Sequence, residues 1–68
     1  MWIINQDRTK VCYCTNIEID KLSFKIVSNS DTLGEYNSLE ECQKIFEDII
    51  VGIKYQHIMY SMPKSDKK

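Results

Sequence analysis

The segment Ser38-Leu39-Glu40-Glu41 is a capping box: the Ser38 hydroxyl can accept from the Glu41 main-chain N–H while the Glu41 carboxylate reaches back. Behind it, Leu39, Cys42, Ile45, Phe46, Ile49, Ile50 and Ile53 recur at three- and four-residue spacings, which predicts one amphipathic helix with that stripe against a core. Glu40 and Glu41 sit in the first turn, where the helix dipole favours negative charge. Gly52 is a place for the helix to end or weaken, and Tyr55 is the outer limit. A chain of 68 residues has room for one such helix and a few short strands, and nothing larger.

The remainder reads as strands. Trp2-Ile3-Ile4, the polar turn Gln6-Asp7-Arg8-Thr9 and Val11-Cys12-Tyr13-Cys14-Thr15 suggest a hairpin. Ile17-Glu18-Ile19 alternates, Asp20-Lys21 can turn, and Ser23-Phe24-Lys25-Ile26-Val27 alternates again. Asn29-Ser30-Asp31 is a second turn, Thr32-Leu33-Gly34-Glu35-Tyr36 a strand, and His57–Met62 a closing strand stopped by Pro63. The expected class is α+β: a small antiparallel sheet of about four to six short strands, one helix on one face, and a closing C-terminal strand. Residues 1–63 form a single domain in this reading, and 64–68 a flexible tail.

Several strands offer apolar groups on both faces. Trp2 and Ile4 oppose Ile3, Val11 and Tyr13 oppose Cys12 and Cys14, and Ile58 and Tyr60 oppose Met59. One helix covers one face, so the surplus suggests a second buried surface, in a homodimer or against a partner. The other reading is a strongly twisted sheet that wraps its own edges. A domain near 60 residues buries only about 60% of its unfolded surface and usually needs a staple. Three cysteines cannot pair fully within one chain, which points to a reducing compartment and leaves self-association as the staple. The candidate interface is Trp2, Ile4, Tyr13 and Tyr60.

Charge narrows the function classes. Nine basic and ten acidic residues give a net charge of −1, without the basic footprint of nucleic-acid binding. The absence of an apolar run near 18 residues and of a leader-like N-terminus leads to the expectation of a soluble, cytoplasmic chain without membrane contact. Cys12-Tyr13-Cys14 sets two thiols on one strand face, with Cys42 and His57 as paper partners, but the spacing fits no zinc ribbon or finger. Core thiols are the better account. His57, the only histidine, has no nucleophile elbow or metalloprotease pattern around it. Gly34, one of two glycines, marks a bend or bulge rather than a phosphate cradle. The chain is thus read as a non-enzyme without catalytic residues, metal or cofactor.

Three segments carry a family resemblance: Met-Trp-Ile-Ile-Asn at 1–5, Leu-Gly-Glu-Tyr-Asn-Ser-Leu-Glu-Glu at 33–41 and Tyr-Ser-Met-Pro at 60–63. With them the chain resembles small accessory proteins of Gram-positive bacteria, their phages and mobile elements. The Cys12/Cys14 pair lies outside that pattern. The resemblance implies a phage or prophage accessory protein acting in the bacterial host cytosol, where such proteins counter host defence by binding.

Together these readings predict a non-catalytic protein that binds and inhibits a host protein, a component of anti-phage immunity. Trp2 and four tyrosines suit a protein interface better than a base-stacking groove. A rival is an oligomeric sponge for a nucleotide immune signal, for which Arg8, Lys10, Lys21 and Lys25 are the cations of the strand region. A housekeeping protein-interaction domain is the third reading.

Overall fold

A computed structural model describes residues 1–29 and 31–65. Its elements run β1 (Trp2–Ile4), β2 (Val11–Tyr13), β3 (Glu18–Asp20), β4 (Lys25–Ser28), β5 (Asp31–Glu35), α1 (Leu39–Lys54) and β6 (Met59–Ser61). The class is α+β, with one helix and a closing C-terminal strand among the described residues. Two details differ from the sequence expectation. The strands form two three-stranded sheets, β2-β1-β6 and β3-β4-β5, and β6 lies parallel to β1. Parallel neighbours require a long crossover, and α1 forms the last leg of this one, bringing the chain back to β1.

Side-chain hydrogen bonds shape the turns. In the β1–β2 hairpin, Asn5 Oδ1 accepts from the main chain of Thr9 at 2.9 Å and Lys10 at 3.0 Å, and Asp7 accepts from the Thr9 hydroxyl at 2.6 Å. That hydroxyl holds the Asp7 carboxyl below the usual carboxylate range. Arg8 takes the left-handed conformation there, at φ 64°. Between β3 and β4, Asp20 accepts from Leu22 N at 3.1 Å and Ser23 Oγ at 2.9 Å. The chain leaves this turn through Phe24 at φ 57°, so the strand starts at Lys25 and not at Ser23. Of the turn Asn29-Ser30-Asp31, Ser30 lies outside the described residues, as do residues 66–68 of the tail.

The residue that ties the sheets together is Gln6. Its N–H donates to Leu33 O at 2.8 Å, the carbonyl of a residue the β4–β5 ladder skips. Its side-chain amide then acts as a strand, accepting from Glu35 N at 2.9 Å and donating to Glu35 O at 3.0 Å. The bulge explains why the consecutive residues Leu33 and Gly34 are both buried. Ile3, Cys14, Ile26, Leu33, Tyr36, Cys42, Ile45, Ile49 and Met62 make the core enclosed by both sheets and α1.

The capping box forms, with one shift. Glu41 N donates to Ser38 Oγ at 3.1 Å, while the Glu41 carboxylate accepts from Asn37 N at 2.9 Å, one residue before the cap. The buried stripe is Cys42, Ile45, Ile49 and Gly52, with Leu39 and Phe46 half-buried. Ile50, expected against the sheet, is 49% exposed, and Ile53 at the end of the stripe is 54% exposed. The helix also passes through Gly52 and ends at the outer limit. Gln56 takes the left-handed conformation at φ 61°, and His57 N reaches back to Gly52 O at 2.8 Å, a Schellman closure with glutamine where glycine is usual.

Gly52 is therefore a helix-interior residue, and its replacement has a definite sign. A Cβ there would meet Met1 Cε at 2.8 Å, the far end of a flexible side chain, and His57 Nδ1 at 3.6 Å. Met1 can move aside, so Gly52→Ala is expected to stabilise the protein by about 0.5–1 kcal/mol through helix propensity. Urea denaturation checks this; a lowered midpoint would mean that Met1 is pinned.

Candidate functional site

Cross-strand register decides which side chains of the β2-β1-β6 sheet share a face. Trp2 stands opposite Tyr13 on β2 and Met59 on β6, and Ile4 stands opposite Val11 and Ser61. Ile3, on the other face, is fully buried beneath the helix layer. The outer face therefore presents Trp2, Ile4, Val11, Tyr13 and Met59 together. Trp2 is 44% exposed, Val11 51%, Met59 52% and Tyr13 56%. The Trp2 and Tyr13 rings meet edge to face at 5.1 Å, at an interplanar angle of 70°. This close contact fits their place in the ladder, since Met1/Cys14 and Asn5/Lys10 are the hydrogen-bonded pairs and Trp2/Tyr13 a closer, non-bonded one.

Of the four residues expected at an interface, Trp2, Ile4 and Tyr13 come together and Tyr60 does not. Tyr60 pairs with Ile3 and so faces inward, where its hydroxyl reaches Asp48 on α1 at 3.4 Å. Burial, with the Asp48 charge adding to it, pushes its phenol up to about 12. Val11 and Met59 are the members that sequence reasoning passed over. Alternation with Trp2 and Tyr13 marks Val11, whereas Met59 depends on the parallel register of β6.

The apolar surface continues past Tyr13. A cleft of about 380 Å³ lies between Tyr13 and Ile53, lined also by Met1, Cys14, Thr15 and His57. Ile53 lies in the last turn of α1, and Ile50, three residues before it on the same side, is also exposed.

Of the residues considered for chemistry, Cys14 and His57 line that cleft, and Cys12 and Cys42 do not. Cys12 is half-buried, Cys14 and Cys42 are buried, and all three are free thiols. Burial raises the Cys12 thiol, with Cys14 beside it adding to the effect, and burial likewise raises Cys42. His57 is exposed at the helix exit, its backbone serving the closure described above. Among the described residues no group of three His, Cys, Asp or Glu side chains is placed to hold a metal ion. No described helix is long and apolar enough to cross a membrane.

A second, polar groove of about 670 Å³ is lined by Gln6, Asp7, Arg8, Glu35, Tyr36, Asn37, Lys64 and Ser65. Most of its polar groups are committed to the fold. Gln6 holds Glu35, Arg8 Nη1 donates to Ser61 Oγ at 2.9 Å, Tyr36 Oη donates to Pro63 O at 2.7 Å, and Asn37 Nδ2 donates to Ser65 Oγ at 2.7 Å. Of the cations named for a nucleotide site, Arg8 lines this groove and Lys10, Lys21 and Lys25 do not. Lys10 pairs with Asp31 at 3.2 Å, Lys25 stands in register with Asp20 and Glu35, and Lys21 lies in the β3–β4 turn.

No family model, curated protein or solved structure matches this chain. By its geometry the aromatic sheet face is the strongest candidate.

Proposed function

We propose that the chain is a non-catalytic binding module whose outer β2-β1-β6 face covers a surface of a host protein. In the setting its sequence resemblance implies, that protein is a component of bacterial anti-phage immunity, and binding inhibits it. The observation that carries the reading is the grouping of Trp2, Ile4, Val11, Tyr13 and Met59 on the sheet face turned away from the helix. Four of these side chains are about half exposed, and contiguous apolar patches of a few hundred Å² are often functional. Trp and Tyr are the residues most often found as interface anchors, and here the two rings already pack edge to face in the unbound chain.

The test is affinity capture from host lysate with the wild type and with Trp2→Ala and Tyr13→Ala, each checked for folding by circular dichroism. Loss of an anchor typically costs about 2 kcal/mol or more, so the affinity for a captured protein should fall at least ~30-fold in each variant. Equal capture by both variants would remove the face from the reading. A nucleotide retained in native mass spectrometry, with no protein captured, would favour the sponge instead.

A further inference from the structure

The free edge of β2 has a property that the outer face does not share. Toward β1, the strand and its flanks are bonded at Lys10 and Cys14, as Asn5 N donates to Lys10 O at 3.0 Å and Cys14 N to Met1 O at 2.9 Å. The antiparallel ladder alternates, so Val11 and Tyr13 turn their N–H and C=O groups outward. β2 is an outer strand of its sheet, and no described strand takes up those groups. Edges are ordinarily protected by charge, proline or a bulge, and Val11-Cys12-Tyr13 has none of these. The other outer strands are protected. β3 carries Glu18 and Asp20, which would face each other across a two-fold; β5 is clasped by Gln6; and the Arg8 side chain lies on Ser61 of β6.

We infer that two copies of this chain pair antiparallel along β2, about a two-fold axis through Cys12. The register follows from which groups point outward. Val11 of each copy opposes Tyr13 of the other and exchanges both main-chain bonds, while Cys12 opposes Cys12 of the second copy as a non-hydrogen-bonded pair. On the outer face this sets an aromatic side chain beside a β-branched one on each side of the axis, a favourable cross-strand combination. Lys10 then faces Cys14 of the second copy, so no like charges oppose. The association supplies the staple that a 68-residue domain with three unpaired thiols otherwise lacks. It uses the edge and not the face, so it stands independently of host-protein binding, and it places two aromatic faces on one continuous sheet.

Light scattering at micromolar concentration, combined with thiol cross-linking, tests the pairing. The expected particle has twice the 8.0 kDa chain mass. Non-hydrogen-bonded antiparallel positions lie about 4.5 Å apart at Cα, inside the range a disulfide can span. Diamide, which accepts the two electrons and two protons released by a pair of thiols, should therefore yield a covalent dimer linked Cys12 to Cys12. Mildly alkaline buffer is needed because the Cys12 thiol is raised. The covalent dimer should vanish in Cys12→Ser and persist in Cys14→Ser and Cys42→Ser. Val11→Pro removes an outward N–H, which β1 does not use, and should raise the dimer dissociation constant at least ten-fold. If that variant does not fold, the cross-linking pattern decides alone. A wild-type particle of 8.0 kDa overturns the proposal. So does a dimer that fails to cross-link through Cys12.

Discussion

Ile49→Asp is expected to leave the chain unfolded, whereas Ile50→Asp, one residue along, is expected to fold. Ile49 is 1% exposed in the middle of α1, within the cluster that joins Ile3, Ile26, Leu33 and Met62. Replacing it by aspartate forfeits about 1.5–3 kcal/mol of apolar burial. It also places a carboxylate in a core with no partner for it, which adds several kcal/mol whether the group stays charged or takes up a proton. Domains of this size draw only about 3–5 kcal/mol from a single core, so the sum exceeds what the fold can absorb. Ile50 is 49% exposed, and a surface change there costs about 1 kcal/mol or less, helix propensity included. Far-ultraviolet circular dichroism and urea titration of the two variants separate the cases. Two unfolded proteins would mean that the outer helix flank is also covered.

That contrast also marks how much of the fold the residues declare by themselves. The helix is legible because its cap, first-turn acids and apolar spacing are local, and local hydrogen bonds such as Glu41 N to Ser38 Oγ complete it. Which part of the apolar stripe lies inward is not local. Seven apolar residues cover a wide arc of the helix, and the sheets bury Cys42, Ile45 and Ile49 from it, together with Gly52 beside it, while leaving Ile50 and Ile53 about half exposed.

The candidate face divides in the same way. Trp2, Ile4 and Tyr13 are legible from alternation within a hairpin whose turn the sequence announces. Tyr60 is not, because alternation gives only its parity with Met59; the parallel register that sets Tyr60 against Ile3 depends on where the crossover delivers β6. The division into two sheets is hidden for a similar reason. The two are joined by the side chain of Gln6 standing in for a strand, a contact across 29 residues of sequence that no local pattern announces.

The largest effect expected from a small substitution is at Gly34. A Cβ on this residue would stand 2.6 Å from Tyr36 Oη, 2.8 Å from Cε2 and 3.0 Å from Cζ. These atoms cannot swing away as Met1 can from Gly52. The Tyr36 ring is 5% exposed within the core, and its hydroxyl is fixed on Pro63 O at 2.7 Å. Burial has already driven its phenol well above the ordinary tyrosine range. Gly34→Ala must therefore displace the ring, at about 1–3 kcal/mol for overpacking and about 1 kcal/mol for the strained or lost hydrogen bond. At this chain length each kcal/mol lowers Tm by roughly 4–8 °C, so a fall of about 8–32 °C is expected. The same substitution in a Tyr36→Leu background should cost at least ~1 kcal/mol less, because the ring it collides with is gone. An equal cost in both backgrounds would refute the contact. The consequence reaches the segments that carry the sequence resemblance. Leu33 supplies the bulge that Gln6 binds, Gly34 leaves room for the ring, Tyr36 holds Pro63, and the buried Met62 donates its N–H to Ile4 O at 3.0 Å. Because Ile4 lies in β1, loosening Gly34 should weaken the seating of β6 against β1, and with it the place of Met59 beside Trp2 on the outer face.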